Sequence, residues 1–197
     1  SAASDVYKRQ LRLLSLVIHS IKDSDKSYIS LADFDLSNQE IRQELIKHIG
    51  SEFNSVLGKD ITYSEAGSKK VDIALGSAYK GLNLGSRAAT TAFLYSFSGG
   101  QEHGATINEI KRSSTTLNNP ASAVVEAIEH LKNKLFFMQS IGEKYFFSNQ
   151  PNLNLIMLTN MENVKDYEIV ALEKELLRAN IKGDKLKVFL WKEDTSN

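Results

Sequence analysis

A chain of 197 residues, 42% hydrophobic and 24% charged, with 11 glycines and 2 prolines, has ordinary globular composition and excludes disordered, collagen-like and low-complexity classes. Lys and Arg total 24 and Asp and Glu total 24, so the formal charge is zero, which argues against a chain that coats polyanions through bulk charge. With no cysteine, a disulfide scaffold and a thiolate metal site are excluded and a reducing, cytoplasmic location is expected; no apolar run approaches the ~20 residues of a membrane span, so no membrane partner is expected.

Residues 1–10 read Ser-Ala-Ala-Ser-Asp-Val-Tyr-Lys-Arg-Gln. Codon by codon, this is the in-frame translation of a common transposase sequencing adapter. It is set aside as a processing scar, against the alternative of a natural helix start capped by Asp5. Natural sequence is then expected from about Leu11. No Met stands there, so the reading frame is expected to continue upstream and the chain to be a fragment.

Leu13, Leu14, Val17, Ile18 and Ile21 recur at helical spacing over 11–22. After a polar, irregular stretch, Ser37-Asn38-Gln39-Glu40 has the pattern of a capping box. Ile41, Leu45, Ile49, Phe53 and Val56 then predict one helix, with Gly58 as its C-cap. Val71 to Tyr79 suggests a helix and Gly81–Gly85 a loop. Ser86–Phe97 reads as a helix ended by Gly99-Gly100.

Thr106-x-x-Glu109 is a second capping box, opening a short helix to about Ser113. Asn119-Pro120 reads as a cap followed by Pro at the first helical position, with the helix running to about Lys134. Phe136–Gln139 and Lys144–Ser148 are aromatic-rich strands joined by a turn containing Gly142. Helix, helix, helix, hairpin is a winged-helix order. Beyond Pro151 a short helix, an amphipathic helix over 165–181 and a strand through Leu186, Val188 and Leu190 are expected. The fold class is therefore α+β, mostly α-helical. Its parts are a helical segment 11–84, a winged helix 85–150, and 151–197 as helices plus the first strand of a truncated following domain.

No phosphate-cradling Gly-x-x-x-x-Gly-Lys-[Ser/Thr] string, His-Glu-x-x-His or Gly-x-Ser-x-Gly occurs, and His19, His48, His103 and His130 share no ligand spacing. No catalytic residue, metal site or cofactor is assigned. Ser77-Ala-Tyr-Lys80 matches a nucleophile–base spacing without its supporting motifs and is read as chance. Arg87, at a helix start after a Gly-containing loop, is the candidate for sensing a neighbouring nucleotide; the alternative is a solvated surface arginine.

In a winged helix the 120–134 helix would enter a DNA groove. The candidate contacts with DNA or a partner are Lys111, Arg112, Ser122, His130, Lys132, Asn133 and Lys144. Glu126 and Glu129 on that helix oppose phosphate, which favours a protein partner over DNA.

Three strings carry a family resemblance: Gly81-Leu-Asn-Leu-Gly-Ser-Arg-Ala-Ala-Thr-Thr-Ala-Phe-Leu-Tyr-Ser96, Gly104-Ala-Thr-Ile-Asn-Glu-Ile-Lys111, and Tyr145-Phe-Phe-Ser148 followed by Pro151-Asn-Leu-Asn154. They resemble large bacterial ATP-binding proteins of domain-of-unknown-function family 499. The resemblance implies an AAA-type P-loop core followed by helical and winged-helix parts, with some members in anti-phage gene clusters. It implies ATP and Mg²⁺ in the parent protein, bound upstream of this fragment, and the rest of that ATPase chain as a partner. The expected function is a non-catalytic middle portion of such an ATPase. The alternative is a stand-alone winged-helix transcription regulator.

Overall fold

The computed structural model describes residues 2–98 and 103–180. Helix α1 (Ala2–Ile21) covers the expected helix and extends back through residues 2–10. Val17 is buried, and Leu13 and Leu16 pack beside it, while α1 lies against α2 (Gln39–Ile49), which buries Ile41 and Leu45. Glu44, also buried, binds Lys47 at 2.8 Å and Arg12 at 3.5 Å. The Lys47 hydrogen bond holds the Glu44 carboxyl below the usual range.

Several helix boundaries differ from expectation. Asn38 caps α2, not Ser37: Asn38 Oδ1 accepts from the N–H of Glu40 at 2.9 Å and of Ile41 at 3.3 Å. The Ser37 N–H donates to Asp35 Oδ1 at 3.0 Å, so the Ser belongs to the turn before the helix. The stripe from Ile41 to Val56 is two helices, because Gly50 at φ +108° turns the chain between α2 and α3 (Phe53–Leu57). Gly58 is the C-cap of α3, as expected, its N–H donating to the carbonyls of Asn54 and Ser55. It is right-handed and opens a π-turn, Gly58–Thr62, that carries Asp60 and Ile61 inward. A Cβ there would lie 2.4 Å from the Tyr63 ring, so the exposed Tyr63 side chain would have to shift to admit one.

Helix α4 (Gly67–Ala74) ends before Gly76, φ +87°, so the segment read as helical to Tyr79 finishes as a separate 3-10 turn, Ser77–Tyr79. Helix α5 (Leu84–Tyr95) is central and packs on α4, on α6 (Ile107–Ser114) and on α7 (Ala121–Lys134). Its Ala88, Ala89, Ala92 and Phe93 are fully buried. Small side chains let helix axes approach, and at Gly85 the approach is tight: a Cβ would meet Ser68 O at 2.9 Å and Val71 Cγ1 at 2.8 Å. Phe93 meets Phe53, Phe97 and Phe147 edge-on, with centroids 6.1, 5.1 and 5.5 Å away.

The capping box of α6 forms as expected. The Thr106 N–H donates to Glu109 Oε2 at 2.8 Å, and the Glu109 N–H to Thr106 Oγ1 at 3.3 Å. Asn119 does not cap α7. Pro120 holds that position, and Asn119 Oδ1 instead accepts from the backbone and hydroxyl of Thr116 at 2.9 and 2.6 Å, closing the turn between the helices. Strands β2 (Met138–Ile141) and β3 (Lys144–Phe147) form the expected hairpin around Gly142, φ +58°. A strand the sequence did not announce, β1 (Ala105–Thr106), pairs antiparallel with β3, giving the sheet order β1-β3-β2. Two residues are too few for a periodic pattern to show.

The architecture is thus α+β and mostly helical, with one small antiparallel sheet. A single apolar core runs from Val17 to Phe147, continuous across residue 84. The chain forms one compact unit through Leu155 and a second from Ile156. In the second unit, α8 (Leu153–Asn163) is completed and α9 (Asp166–Asn180) follows, its first turn carrying Asp166 and Glu168 at the positive end of the helix dipole. The strand expected at 185–190 lies outside the described residues.

Candidate functional site

Arg87 stands in the first turn of α5 with its side chain 14% exposed. Its Nη1 donates to Asp33 Oδ1 at 2.6 Å. Its Nε and Nη2 donate to the carbonyls of Ser114 and Ser113 at 3.4 and 3.3 Å. Those carbonyls end α6, where no intrahelical N–H remains to bind them and the dipole is negative. The cation therefore caps one helix from another. A solvated surface arginine is ruled out by this burial, and three of its N–H groups are committed to the chain itself.

Asp33 is the other half of the clasp. It ends a 3-10 turn, Leu31–Asp33, that packs on α5 and α6. The carboxylate also binds Lys26 and accepts from the Ser30 N–H at 2.8 Å. Burial opposes its charge, but Lys26, Arg87 and the Ser30 N–H outweigh it and hold the carboxyl down at about 2. Ser30 Oγ lies 2.7 Å from Ser113 O and 2.9 Å from Asp33 Oδ2, so its one proton serves one acceptor at a time. The Tyr28 hydroxyl reaches Thr115 O at 3.3 Å. The 26–33 segment is in this way laced to the end of α6.

Beside the clasp opens a cleft of about 670 Å³. Its walls come from the end of α1, the 24–37 segment, α4, the 81–83 loop, the first two turns of α5 and the 116–118 turn. Ile21, Phe34, Leu36, Ile61 and Leu82 supply apolar surface; Lys26, Lys69 and Arg87 supply cations. Asn83, the residue of the wall that starts α5, is left-handed at φ +50°, a conformation Asn tolerates better than most residues.

Two further aspartates matter, and neither was singled out by sequence. Asp72 on α4 accepts from the N–H of Gly85 at 2.7 Å and of Ser86 at 3.1 Å, and binds the Ser86 hydroxyl. It caps α5 from outside. Asp60, fully buried in the π-turn, accepts from the N–H of Phe136 at 3.0 Å and of Phe137 at 2.7 Å, where the chain leaves α7 for β2. Burial outweighs these two bonds and pushes its carboxyl up to about 6. A lone Asp carries no periodic signal, so only the tertiary structure identifies it.

The partner-contact candidates fall on α6, α7 and β3. Ser122, Lys132 and Asn133 are exposed on α7, with His130 half-buried. Arg112 is exposed and Lys111 half-buried in the last turn of α6. Lys132 pairs with Glu129 at 3.3 Å and lies 5.9 Å from the Tyr145 ring centre; Asn133 Nδ2 donates to Glu129 O at 3.2 Å. Two hydrogen bonds from Thr106 lead in keeping the Glu109 carboxyl below its ordinary value, and Lys144 and Arg112 add to this. The structure thus intersperses these cations with Glu109, Glu126 and Glu129, giving a face of mixed sign.

Ser77 and Lys80 are both exposed, joined by a backbone bond from the Lys80 N–H to Ser77 O. Among the described residues no cluster of three His, Asp or Glu side chains is placed to hold a metal ion, and no helix is long and apolar enough to cross a membrane. Comparisons with family models, curated proteins and solved structures return no match to this chain.

Proposed function

We propose that this chain is a non-catalytic coupling segment of a large bacterial ATPase, with residues 85–150 as a winged helix that passes nucleotide state to a protein partner. The observation that carries this reading is the bracing between the two halves. Asp33, Asp60 and Asp72 each hold a group beyond residue 84, on α5 or at the start of the hairpin, and one core spans both halves. A body tied in this way moves as a lever, which is what coupling requires. The order β1-α6-α7-β2-β3 after α5 supports the winged helix. The mixed-sign face of α7 supports a protein partner over DNA. ATP and Mg²⁺, a cytoplasmic location and a role in anti-phage defence belong to the same reading and rest on the three resembling strings.

Sequencing the source DNA upstream of Leu11 tests it. An in-frame Gly-x-x-x-x-Gly-Lys-[Ser/Thr] is expected; a start codon close to Leu11 would overturn the ATPase reading. Titrating the chain against a duplex DNA in 150 mM salt tests the winged helix's partner. Submicromolar binding would replace the protein partner with DNA and favour a transcription regulator.

A further inference from the structure

The cleft beside the Arg87–Asp33 clasp has properties that its structural role does not use. Lys69, on α4, is half-buried and lines the cleft, and its side chain makes no ion pair or hydrogen bond among the described residues. Thr90, one turn beyond Arg87, is 5% exposed, lines the same cleft and likewise makes no side-chain hydrogen bond. The Lys69 charge has no counter-ion and the Thr90 hydroxyl no partner from the chain, so both are available to a ligand in the cleft. The inner charge also leans one way. Arg87 is paired with the buried carboxylate of Asp33, and Lys69 is the cation left over. Asp25, Lys26 and Asp35, which also line the cleft, are exposed, where water screens them. Ile21, Phe34, Ile61 and Leu82 supply an apolar wall, and about 670 Å³ is within the range of small-ligand pockets.

We propose that this cleft binds a small organic anion, an apolar body with one oxyacid head, with Lys69 as the counter-ion and the Thr90 hydroxyl as a further hydrogen-bonding group. Occupancy would tie together the end of α1, α4 and α5, so the ligand would stiffen the part of the molecule that carries the clasp. The inference is independent of the reading of residues 85–150.

The probe is 8-anilinonaphthalene-1-sulfonate, an aromatic body with one anionic group, titrated into the intact chain and followed by fluorescence. Its neutral analogue N-phenyl-1-naphthylamine serves as the control for apolar contact alone. Saturable binding is expected, weakened about tenfold by Lys69→Glu and less by Lys69→Met, with the neutral analogue unaffected by either. Thermal melts of both variants confirm that they fold; Lys69 is partly exposed and on a helix surface, so both changes are compatible with the fold. Decanoate and decyl phosphate are then used as competitors. Displacement by the first identifies a carboxylate head, by the second a phosphate head. Binding that ignores Lys69→Glu, equal losses for the neutral analogue, or displacement by neither competitor would overturn the proposal.

Discussion

Arg87 Nη1 lies 2.6 Å from Asp33 Oδ1 across 54 residues of chain, with the two side chains only 14% and 3% exposed. The pair links a 3-10 turn, the start of α5 and the end of α6.

Removing one partner therefore costs more than removing both. Arg87→Ala is expected to lower unfolding stability by about 3 kcal/mol, because a buried carboxylate loses one of its two counter-ions and two α6 carbonyls lose a donor. The double variant Asp33→Leu/Arg87→Met is expected to lose less than the sum of the single variants. Urea denaturation of the four proteins closes the cycle; simple additivity would show that the pair is not coupled.

Two aspartates set opposite limbs of the pH profile. The Asp60 carboxyl is raised from 3.8 to about 6, so the folded state binds a proton more readily than the unfolded one. Its contribution is full below about pH 4 and disappears as pH rises through about 6. Stability is expected to be higher at pH 5 than at pH 7.5 by about 1.4 kcal/mol, and Asp60→Asn is expected to flatten that slope. The Asp33 carboxyl is lowered from 3.8 to about 2, so its contribution is full above about pH 4 and is lost as pH falls through 2. Asp33→Asn is expected to flatten the acid limb alone. Denaturation midpoints between pH 2 and 8 give both slopes.

The cap of α2 separates two neighbouring residues. Asn38→Ala is expected to cost about 1 kcal/mol, and Ser37→Ala to lie within about 0.5 kcal/mol of the parent. The reverse ranking in thermal melts would restore Ser37 as the cap.

Phe93 is fully buried among three other phenylalanines, whereas Phe53 is half-buried. Phe93→Ala is expected to cost about 4 kcal/mol and Phe53→Ala clearly less. Equal losses in urea denaturation would mean that the cavity at Phe93 collapses.

Ser114 is buried, and its hydroxyl makes no hydrogen bond. Ser114→Ala removes an unsatisfied polar group with little change of shape. It is expected to stabilise the chain by about 1 kcal/mol, read as a raised melting temperature.

What the sequence made legible was local. Thr106 and Glu109 announce a helix start because both halves of the box lie within one turn, and Gly142 announces a hairpin because the turn itself needs positive φ. What escaped depended on distant partners. Asn38 and Ser37 are equally good cap types, and only the surrounding backbone chooses. Gly58 was legible as the end of a helix, but not as the start of the π-turn that follows it. Asp72 caps a helix 13 residues away, so no motif at α5 reveals it. Arg87 was legible as an unusual arginine at a helix start, but its acceptors come from residues 33, 113 and 114.

The external capping of α5 also bears on descent. A helix that carries its own N-cap can be moved between proteins as a cassette. This one borrows its cap from Asp72, its flanking salt link from Asp33, and the lead-in to its hairpin from Asp60, all encoded upstream of residue 84. A recombination event at residue 84 would deliver the second half without any of the three carboxylates. The two halves are therefore expected to have been inherited together, with these aspartates changing only in step with the groups they hold.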